Sequence, residues 1–507
     1  MPADPAGWAG PPGLRAAGFS VREGRESWER TDDGKEKGQA ANRTRDKNRT
    51  LHKKGSQAVS HRYLPLTDAD RQAMLEAIGV PDVEALFADI PDPVRLKRPL
   101  DLEPALTEPE LVRELGRLAA KNRTTDALVS FLGAGAYEHT IPAVVDHVLR
   151  RSEFYTAYTP YQPELSQGNL QAIFEFQTMV ASLTGMEVAN ASLYDGPTAL
   201  AEAVLLSLRE TRRKRVVLSE ALHPHARSVV ETVVRDLEGV AVDVAPAPGG
   251  ATDAGALRAL AADAAAVVVQ TPNFFGVVEP LGAHRQAVAG SGAMWIVSAN
   301  PLALGLLRPP GDFGADLVVG DMQPLGIPLS FGGPYAGYLA ARMKDVRKLP
   351  GRIVGETVDA AGRRGYVLTL QTREQHIRRE KATSNITTNQ ALMALAAAVA
   401  MSAFGPRGLR ALAEQNVHKT QYALQAIEAR TPFRRAYPAP VFNEFVLELG
   451  RPADEAVAAL LEQGFLAGYP LGSLGEDYRT KLLVAVTEVR TKAEIDAFVE
   501  ALGRWGR

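Results

Sequence analysis

The sequence predicts a three-layer α/β domain followed by a smaller α+β domain. Continuously apolar runs at 216–218, 266–269, 295–297 and 317–319, and a strand-like run at 240–244 broken by Asp243, are interspersed with helix-like segments at 225–237 and 254–262. Short strands without polar alternation are buried on both faces, the signature of a parallel sheet covered by helices. After Gly405 the texture changes to a long helix (408–429), a strand (441–449), a helix (454–463), a strand (482–486) and a last helix from Lys492. That alternation suits a compact α+β unit. The 507 residues, 46% hydrophobic and 23% charged, are ample to bury both cores.

In chain order, residues 1–60 stand apart: Pro, Gly, Asn, Arg and Lys dominate, with 12 basic and 8 acidic side chains and little aliphatic periodicity. Too little apolar surface is present to offset the entropy of ordering, so this segment is expected to be disordered or to reflect an over-long assigned start. No methionine lies between Met1 and Met74, so a shorter form would begin at an alternative codon such as that of Val59. The segment has neither the apolar stretch of a secretory signal nor the acid-poor composition of a mitochondrial presequence. A helical arm is expected over 61–125. There Thr67 to Asp70 offers an N-cap, Met74, Leu75 and Ile78 share a face, Gly79 is placed to end the helix, and a second helix follows over 109–118. The large domain is assigned to 126–405, with a helix over 171–183, and the small one to 406–507.

A formal charge of −2, from 57 basic and 59 acidic side chains, provides no basic stripe for nucleic acid or an anionic membrane. No apolar run reaches the roughly 18 residues that span a bilayer, and the longest, 391–405, has the length of a buried helix. A cytoplasmic location is therefore expected. Cysteine is absent, which excludes disulfides, thiolate zinc sites, iron–sulfur clusters and cysteine nucleophiles; no metal centre is expected. Lysine supplies only 14 of the 57 basic residues, and none lies between Lys214 and Lys344.

Three stretches are too rich in special residues to be plain scaffold. The first, 155–168, crowds Tyr155, Tyr158 and Tyr161 together with Gln162, Glu164 and Gln167 on a backbone held extended by two prolines. It suits either an aromatic loop packed under a helix or a rigid lip on a pocket. The second, 191–202, places Tyr194, Asp195, Gly196 and Thr198 where a strand-to-turn run meets a helix start. N–H groups there can hold an anion, and the same residues serve ordinary capping. The third, 320–337, runs from Asp321 and Gln323 to Gly332 and Gly333. A parallel strand followed by a polar loop and a Gly-Gly-Pro turn belongs at the carboxyl edge of a sheet, where α/β ligand sites lie. His139, within Gly-Ala-Gly-Ala-Tyr-Glu-His at 133–139, is either a further pocket residue or a structural histidine.

Four motifs together resemble one family. They are Ala-Tyr-Thr-Pro-Tyr-Gln-Pro-Glu-Leu-Ser-Gln-Gly at 157–168, Ala-Asn-Ala-Ser-Leu-Tyr-Asp-Gly at 189–196, Phe-Gly-Gly-Pro-Tyr-Ala-Gly at 331–337 and Thr-Ser-Asn-Ile-Thr-Thr-Asn-Gln at 383–390. The resemblance is to the glycine dehydrogenase (decarboxylating) family, the P-proteins of the glycine cleavage system, and within it to the subunit-1 chains. It runs from about His61 to the C-terminus; where the family commonly has a cysteine, this chain has Thr387. The resemblance implies the aspartate-aminotransferase-like fold, fold type I of the pyridoxal phosphate enzymes, with a mostly parallel seven-stranded sheet in the large domain. It also implies an α2β2 heterotetramer with a lysine-bearing subunit 2. That complex would decarboxylate glycine and transfer the aminomethyl group to the lipoyl group of the H-protein.

Enzymes of that fold hold pyridoxal phosphate through a Schiff-base lysine, usually with an acid against the pyridine nitrogen. The resemblance, anchored on the shared Ile-Pro and Gly-Gly-Pro, puts Gln323 at the lysine position and Ser298 where the acid would stand. Asp312, Asp316 and Asp321 are expected as turn or cap residues. The implied cofactor site then lies on the partner subunit, and this chain contributes no covalent catalytic residue. Its implied pocket-lining residues are Tyr158, Tyr161, Gln162, Glu164, Gln167, Tyr194, Asp195 and His139, with Gly332 and Gly333 in the glycine-rich loop. The alternatives are a purely structural or regulatory subunit, and a self-contained decarboxylase or transaminase using Lys344 or Lys381.

Overall fold

The computed structural model describes residues 63, 65–96, 98, 100–371 and 374–506, so the expectation for 1–60 lies outside the described residues. The chain divides into two compact units, Met1–Lys121 and Asn122–Arg507.

In the first unit, helix α1 (Asp68–Ile78) begins with a capping box. Thr67 Oγ1 accepts from Asp70 N at 3.2 Å, and Asp70 Oδ2 accepts from Thr67 N at 2.8 Å. It ends at Gly79, which is left-handed as a helix C-cap requires. Thr107 and Glu110 box the start of α2 (Glu108–Ala119) in the same way. Of the face expected on α1, only Leu75 is buried; Met74 and Ile78 are exposed, as are Leu111, Val112, Leu115 and Leu118 of α2.

The second unit is built on seven strands: β1 (Val188–Ala189), β2 (Arg215–Ser219), β3 (Ala241–Ala245), β4 (Ala264–Thr271), β5 (Met294–Ala299), β6 (Leu317–Asp321) and β7 (Gly337–Ala341). Their order is β1-β7-β6-β5-β4-β2-β3. Strands β2 to β6 are parallel, whereas β7 pairs antiparallel with both β6 and β1. Side chains alternate between two cores. Val217, Val267, Val297 and Val318 join one; Val216, Val268, Ile296 and Val319 join the other. The first core is covered by α3 (Gln167–Thr184) through Phe176 and Val180, and the second by α4 (Gly196–Thr211) and α5 (Pro224–Val234) through Leu200, Val204 and Val230. Each fully buried valine or leucine is worth about 1.5–3 kcal/mol relative to exposure, which explains why these strands carry no polar alternation.

A hairpin of β8 (Ile353–Val358) and β9 (Arg364–Thr369) follows, unforeseen because Glu356 and Arg364 interrupt its pattern. The expected segments 391–405 and 408–429 join as α6 (Ala391–Arg430), bent at Gly405, where φ is 60° and ψ 179°. By length and composition α6 is apolar enough to cross a membrane, the one such helix among the described residues, which corrects the expectation that no segment qualifies. In this fold Ala394, Ala397 and Met401 bury it against the first core.

The C-terminal sheet comprises β10 (Arg434–Arg435), β11 (Glu444–Glu448), β12 (Tyr469–Pro470) and β13 (Lys481–Ala485), in the antiparallel order β10-β11-β13-β12. Helices α7 (Ala453–Leu461) and α8 (Lys492–Trp505) cover it through Leu460, Phe498 and Leu502. Val129–Ser130 pairs with Phe465–Leu466, and Phe131 stacks on Phe498 with ring centroids 4.1 Å apart. These contacts hold the following segment, 133–139, beside the carboxyl end of the large sheet.

Candidate functional site

At that end a cavity of about 420 Å³ opens, lined among others by Tyr137, Asp195, His223, Ser298, Asn300, Asp321, Tyr335, Asn443 and Glu444. Its charge pattern begins where β6 ends. Asp321 Oδ2 accepts from Gly196 N at 3.1 Å and Oδ1 from Gln323 N at 2.9 Å. Asp195 is the N-cap of α4 and accepts from Thr198 N at 2.8 Å. The helix start that can hold an external anion is therefore occupied by two carboxylates of this chain. Burial pushes the Asp321 carboxyl up to about 6, outweighing the hydrogen bonds from Gln323 and Gly196, and the charge of Asp195 adds to the rise. Asp321 thus serves a turn, as expected, but also walls the cavity. Asp316 accepts from Trp295 N at 2.9 Å, and Asp312 approaches Arg308, both away from it.

Gln323 is buried. Its Nε2 donates to Tyr137 O at 2.8 Å and Ile327 O at 3.1 Å, and its Oε1 accepts from Tyr137 N at 2.9 Å. The Tyr137 hydroxyl donates to Glu444 Oε2 at 2.8 Å, while Ala134 N donates to Glu444 Oε1 at 2.7 Å. Burial raises the Glu444 carboxyl to about 7 despite those two bonds. His223 Nδ1 accepts from His225 N at 3.1 Å, so the proton sits on Nε2, which donates to Ala134 O at 2.9 Å. The ring is neutral, in keeping with the burial that lowers its pKa. Gly135, with φ 99°, lies so close that a Cβ would stand 2.8 Å from His223 Nε2.

Pyridoxal phosphate needs a lysine amine, a partner for its ring nitrogen, and cations or free N–H groups for its phosphate. Among the described residues the cavity lining contains no lysine or arginine, and Lys344 and Lys381 do not line it. Ser298 and Asn300 stand at its rim in place of an acid, Asn300 Oδ1 being engaged by Leu302 N at 2.9 Å. The residues of this chain's own cavity do not fit the cofactor.

The tyrosine stretch lies elsewhere. Tyr158 is 96% exposed, and Gln162 and Glu164 also face solvent. Tyr161 is held from two sides: the Arg352 guanidinium sits 3.9 Å over its ring, and its hydroxyl bonds Asn389 Oδ1. Arg352 also donates to Thr387 O at 2.7 Å, and Asn389 Nδ2 to Ala191 O at 2.6 Å and Ser192 Oγ at 3.0 Å. Gln167 Oε1 accepts from Tyr366 N at 2.8 Å, and its Nε2 donates to Tyr366 O at 2.9 Å. Three of the four sequence motifs and the β8–β9 hairpin are thereby knit into one ordered edge.

Of the residues singled out from sequence, Asp195, Gly196, Ser298, Asp321 and Gly332 line the cavity, Tyr194 and Gly333 neighbour them in the chain, and Gln323 lies behind its wall. His139 does not line it. Its Nδ1 is 2.8 Å from Glu488 Oε2 in a buried pair. Burial opposes ionisation of Glu488, but the hydrogen bond and charge of His139, with bonds from Thr140 N and Asn416, hold its carboxyl at about 2. Tyr137, His223, Asn443 and Glu444 escaped the sequence argument. His223 alone carried a signal, since it follows the carboxyl end of a predicted strand.

The family model of the glycine cleavage system P-protein matches residues 61–502. A "probable glycine dehydrogenase (decarboxylating) subunit 1" of Geobacillus kaustophilus is 58% identical over 444 residues, 87% of this chain and 99% of that one. The like-named protein of Listeria monocytogenes is 56% identical over 445 residues, 88% and 99% of the two chains. The crystal structure of glycine decarboxylase (P-protein) of the glycine cleavage system, in inhibitor-bound form, matches with a TM-score of 0.79 at 46% identity, covering 88% of this chain and 100% of that chain. A Burkholderia pseudomallei sphingosine-1-phosphate lyase, with TM-score 0.59 and 17% identity over 80% of this chain and 92% of its own, shares the fold alone. Sequence, topology and neighbours agree on a fold of type I pyridoxal phosphate enzymes, and the chain belongs to the glycine cleavage system P-protein family.

Proposed function

We propose that this chain is the non-covalent half of a heteromeric glycine decarboxylase. Its partner is a lysine-bearing subunit 2, two copies of each forming the complex. One observation carries this: Gln323, at the implied lysine position, is locked to Tyr137 and Ile327, in a cavity whose carboxylates oppose a phosphate. Pyridoxal phosphate is then held by the partner, where it supplies the electron sink for loss of the glycine carboxylate as CO2. The aminomethyl group passes to the lipoyl group of the H-protein, in the cytoplasm.

This chain's part is to shape and close the partner's pocket. Tyr158 and Glu164 are exposed, as a side chain reaching a neighbouring subunit must be, and Tyr161 is fixed by Arg352 and Asn389. A rigid wall orients the substrate and excludes water, effects worth several kcal/mol of barrier without any covalent contact. The exposed apolar residues of α2 suit burial against the same partner.

The test is co-expression with a lysine-bearing subunit, followed by cofactor absorbance and glycine–bicarbonate exchange for each chain and for the mixture. Exchange confined to the mixture, with the cofactor on the partner, is expected. Cofactor absorbance or exchange from this chain alone would overturn the proposal.

A further inference from the structure

The cavity beside β6 has no part in the function above, whose working side chains lie on the outer edge. Asp195, Asp321 and Glu444 wall it, and among the described residues no ion pair engages any of them. Their partners are neutral: backbone N–H groups and the Tyr137 hydroxyl. His223 adds no charge, because its tautomer is fixed by His225 N and Ala134 O. Carboxylates enclosed without a counter-charge are costly to ionise, and a cation entering the cavity removes that cost. No group of three or more ligating side chains suited to a metal occurs among the described residues, which points to an organic cation.

A second observation is independent of charge. Asn443 is 2% exposed and lines the same cavity, yet its Nδ2 has no hydrogen-bond partner. Buried amide donors are rarely left unmet, so a ligand here should bring an acceptor.

We propose that this cavity binds a small primary amine in its protonated form, with the ammonium at Asp195 and Asp321 and a neutral hydrogen-bond acceptor toward Asn443. An ammonium offers three donors, and its bonds to carboxylates are charge-assisted. The volume of about 420 Å³ admits a molecule of several heavy atoms. Phosphate is repelled, and a zwitterionic amino acid is disfavoured by its own carboxylate.

The experiment is calorimetric titration of the full chain with glycinamide, which carries an ammonium and an amide oxygen. Acetamide, glycine and inorganic phosphate are the comparisons. Saturable glycinamide binding is expected, with the other three at least about tenfold weaker, a gap of about 1.4 kcal/mol. Asp195→Asn keeps its oxygen for Thr198 N, and Asp321→Asn keeps one for Gly196 N while losing the acceptor for Gln323 N; in each variant shown to be folded by circular dichroism, glycinamide weakens about tenfold. Affinity should also rise between about pH 5 and about pH 7 as Asp321 ionises, its carboxyl facing Asp195 on the α4 cap, Tyr335 on the loop and Tyr338 on β7, and fall above about pH 8 as the glycinamide ammonium loses its proton. Absence of glycinamide binding, equal binding to folded Asp321→Asn, or equal binding of phosphate would each overturn the assignment.

Discussion

The cavity and the tyrosine edge differ in what they leave unsatisfied. Around the cavity, carboxylates are buried (Glu444) or half-buried (Asp195, Asp321) with only neutral partners, and the Asp321 and Glu444 acids rise to about 6 and about 7. Along the edge, Arg352, Asn389 and Gln167 satisfy one another's neighbours, and Tyr158 is left to solvent. At the position that the resemblance assigns to a lysine, Gln323 is bonded to Tyr137 and Ile327, and the carboxylates around the cavity carry the charge opposite to what a phosphate needs. The edge has gained order without gaining a reactive group, as a wall for another subunit's chemistry requires.

The largest expected effect comes from Gly337→Ala, because a Cβ there would overlap the carbonyl of Asp195. Strand β7 and the cap of α4 cannot both stay in place, and urea unfolding should show a loss of about 3 kcal/mol. A loss below about 1 kcal/mol would mean that the cavity wall is softer than its packing indicates.

Next is the pH dependence of the two buried glutamates. Glu444 holds its proton more tightly folded than unfolded, so stability falls as pH rises from about 4.5 through about 7, by up to about 3 kcal/mol. Glu488 has the opposite sign: its contribution is present above about pH 4.5 and is lost as pH falls toward about 2. Denaturant midpoints at about pH 5 and about pH 8 should differ in the native chain, and the difference should shrink in Glu444→Gln to the smaller share contributed by Asp321. An unchanged difference would assign the slope to another group.

On the edge, Arg352→Ala should lower glycine–bicarbonate exchange of the reconstituted complex about tenfold, with Arg352→Lys retaining part of the rate, since a lysine keeps the charge over Tyr161 but not both bonds to Thr387. The smallest effect is expected for Tyr158→Phe, less than about twofold, because its aromatic surface survives. Unchanged exchange in Arg352→Ala would favour a purely structural subunit.

Most of the large sheet could be read from sequence because β2 and β4 to β6 are largely buried on both faces and admit few polar residues, whereas the edge strand β3 is mostly exposed or half-buried and carries Asp243. The β8–β9 hairpin could not, since one face meets solvent and Glu356 and Arg364 break the apolar run. The cavity was harder for a different reason. Tyr137 and Glu444 lie 307 residues apart, and Glu444 sits in a strand whose other residues announce core. Nothing local marks it. Gln323 was noticeable only through resemblance, and its hydrogen bonds to a tyrosine 186 residues away are a tertiary fact. For His139 the sequence left a pocket role and a structural one open, and the structure seals it against Glu488.

The Gln323 latch has an evolutionary consequence. One base change turns a glutamine codon into a lysine codon, so mutation alone presents little obstacle to placing an amine at this position. Lysine, however, has no acceptor for Tyr137 N and cannot reproduce the amide's paired contacts with Tyr137 and Ile327. Each buried group left orphaned costs about 1–3 kcal/mol, a large fraction of a domain's stability. A chain with lysine at this position would fold poorly before any chemistry could favour it, so the latch holds an amine out of the site.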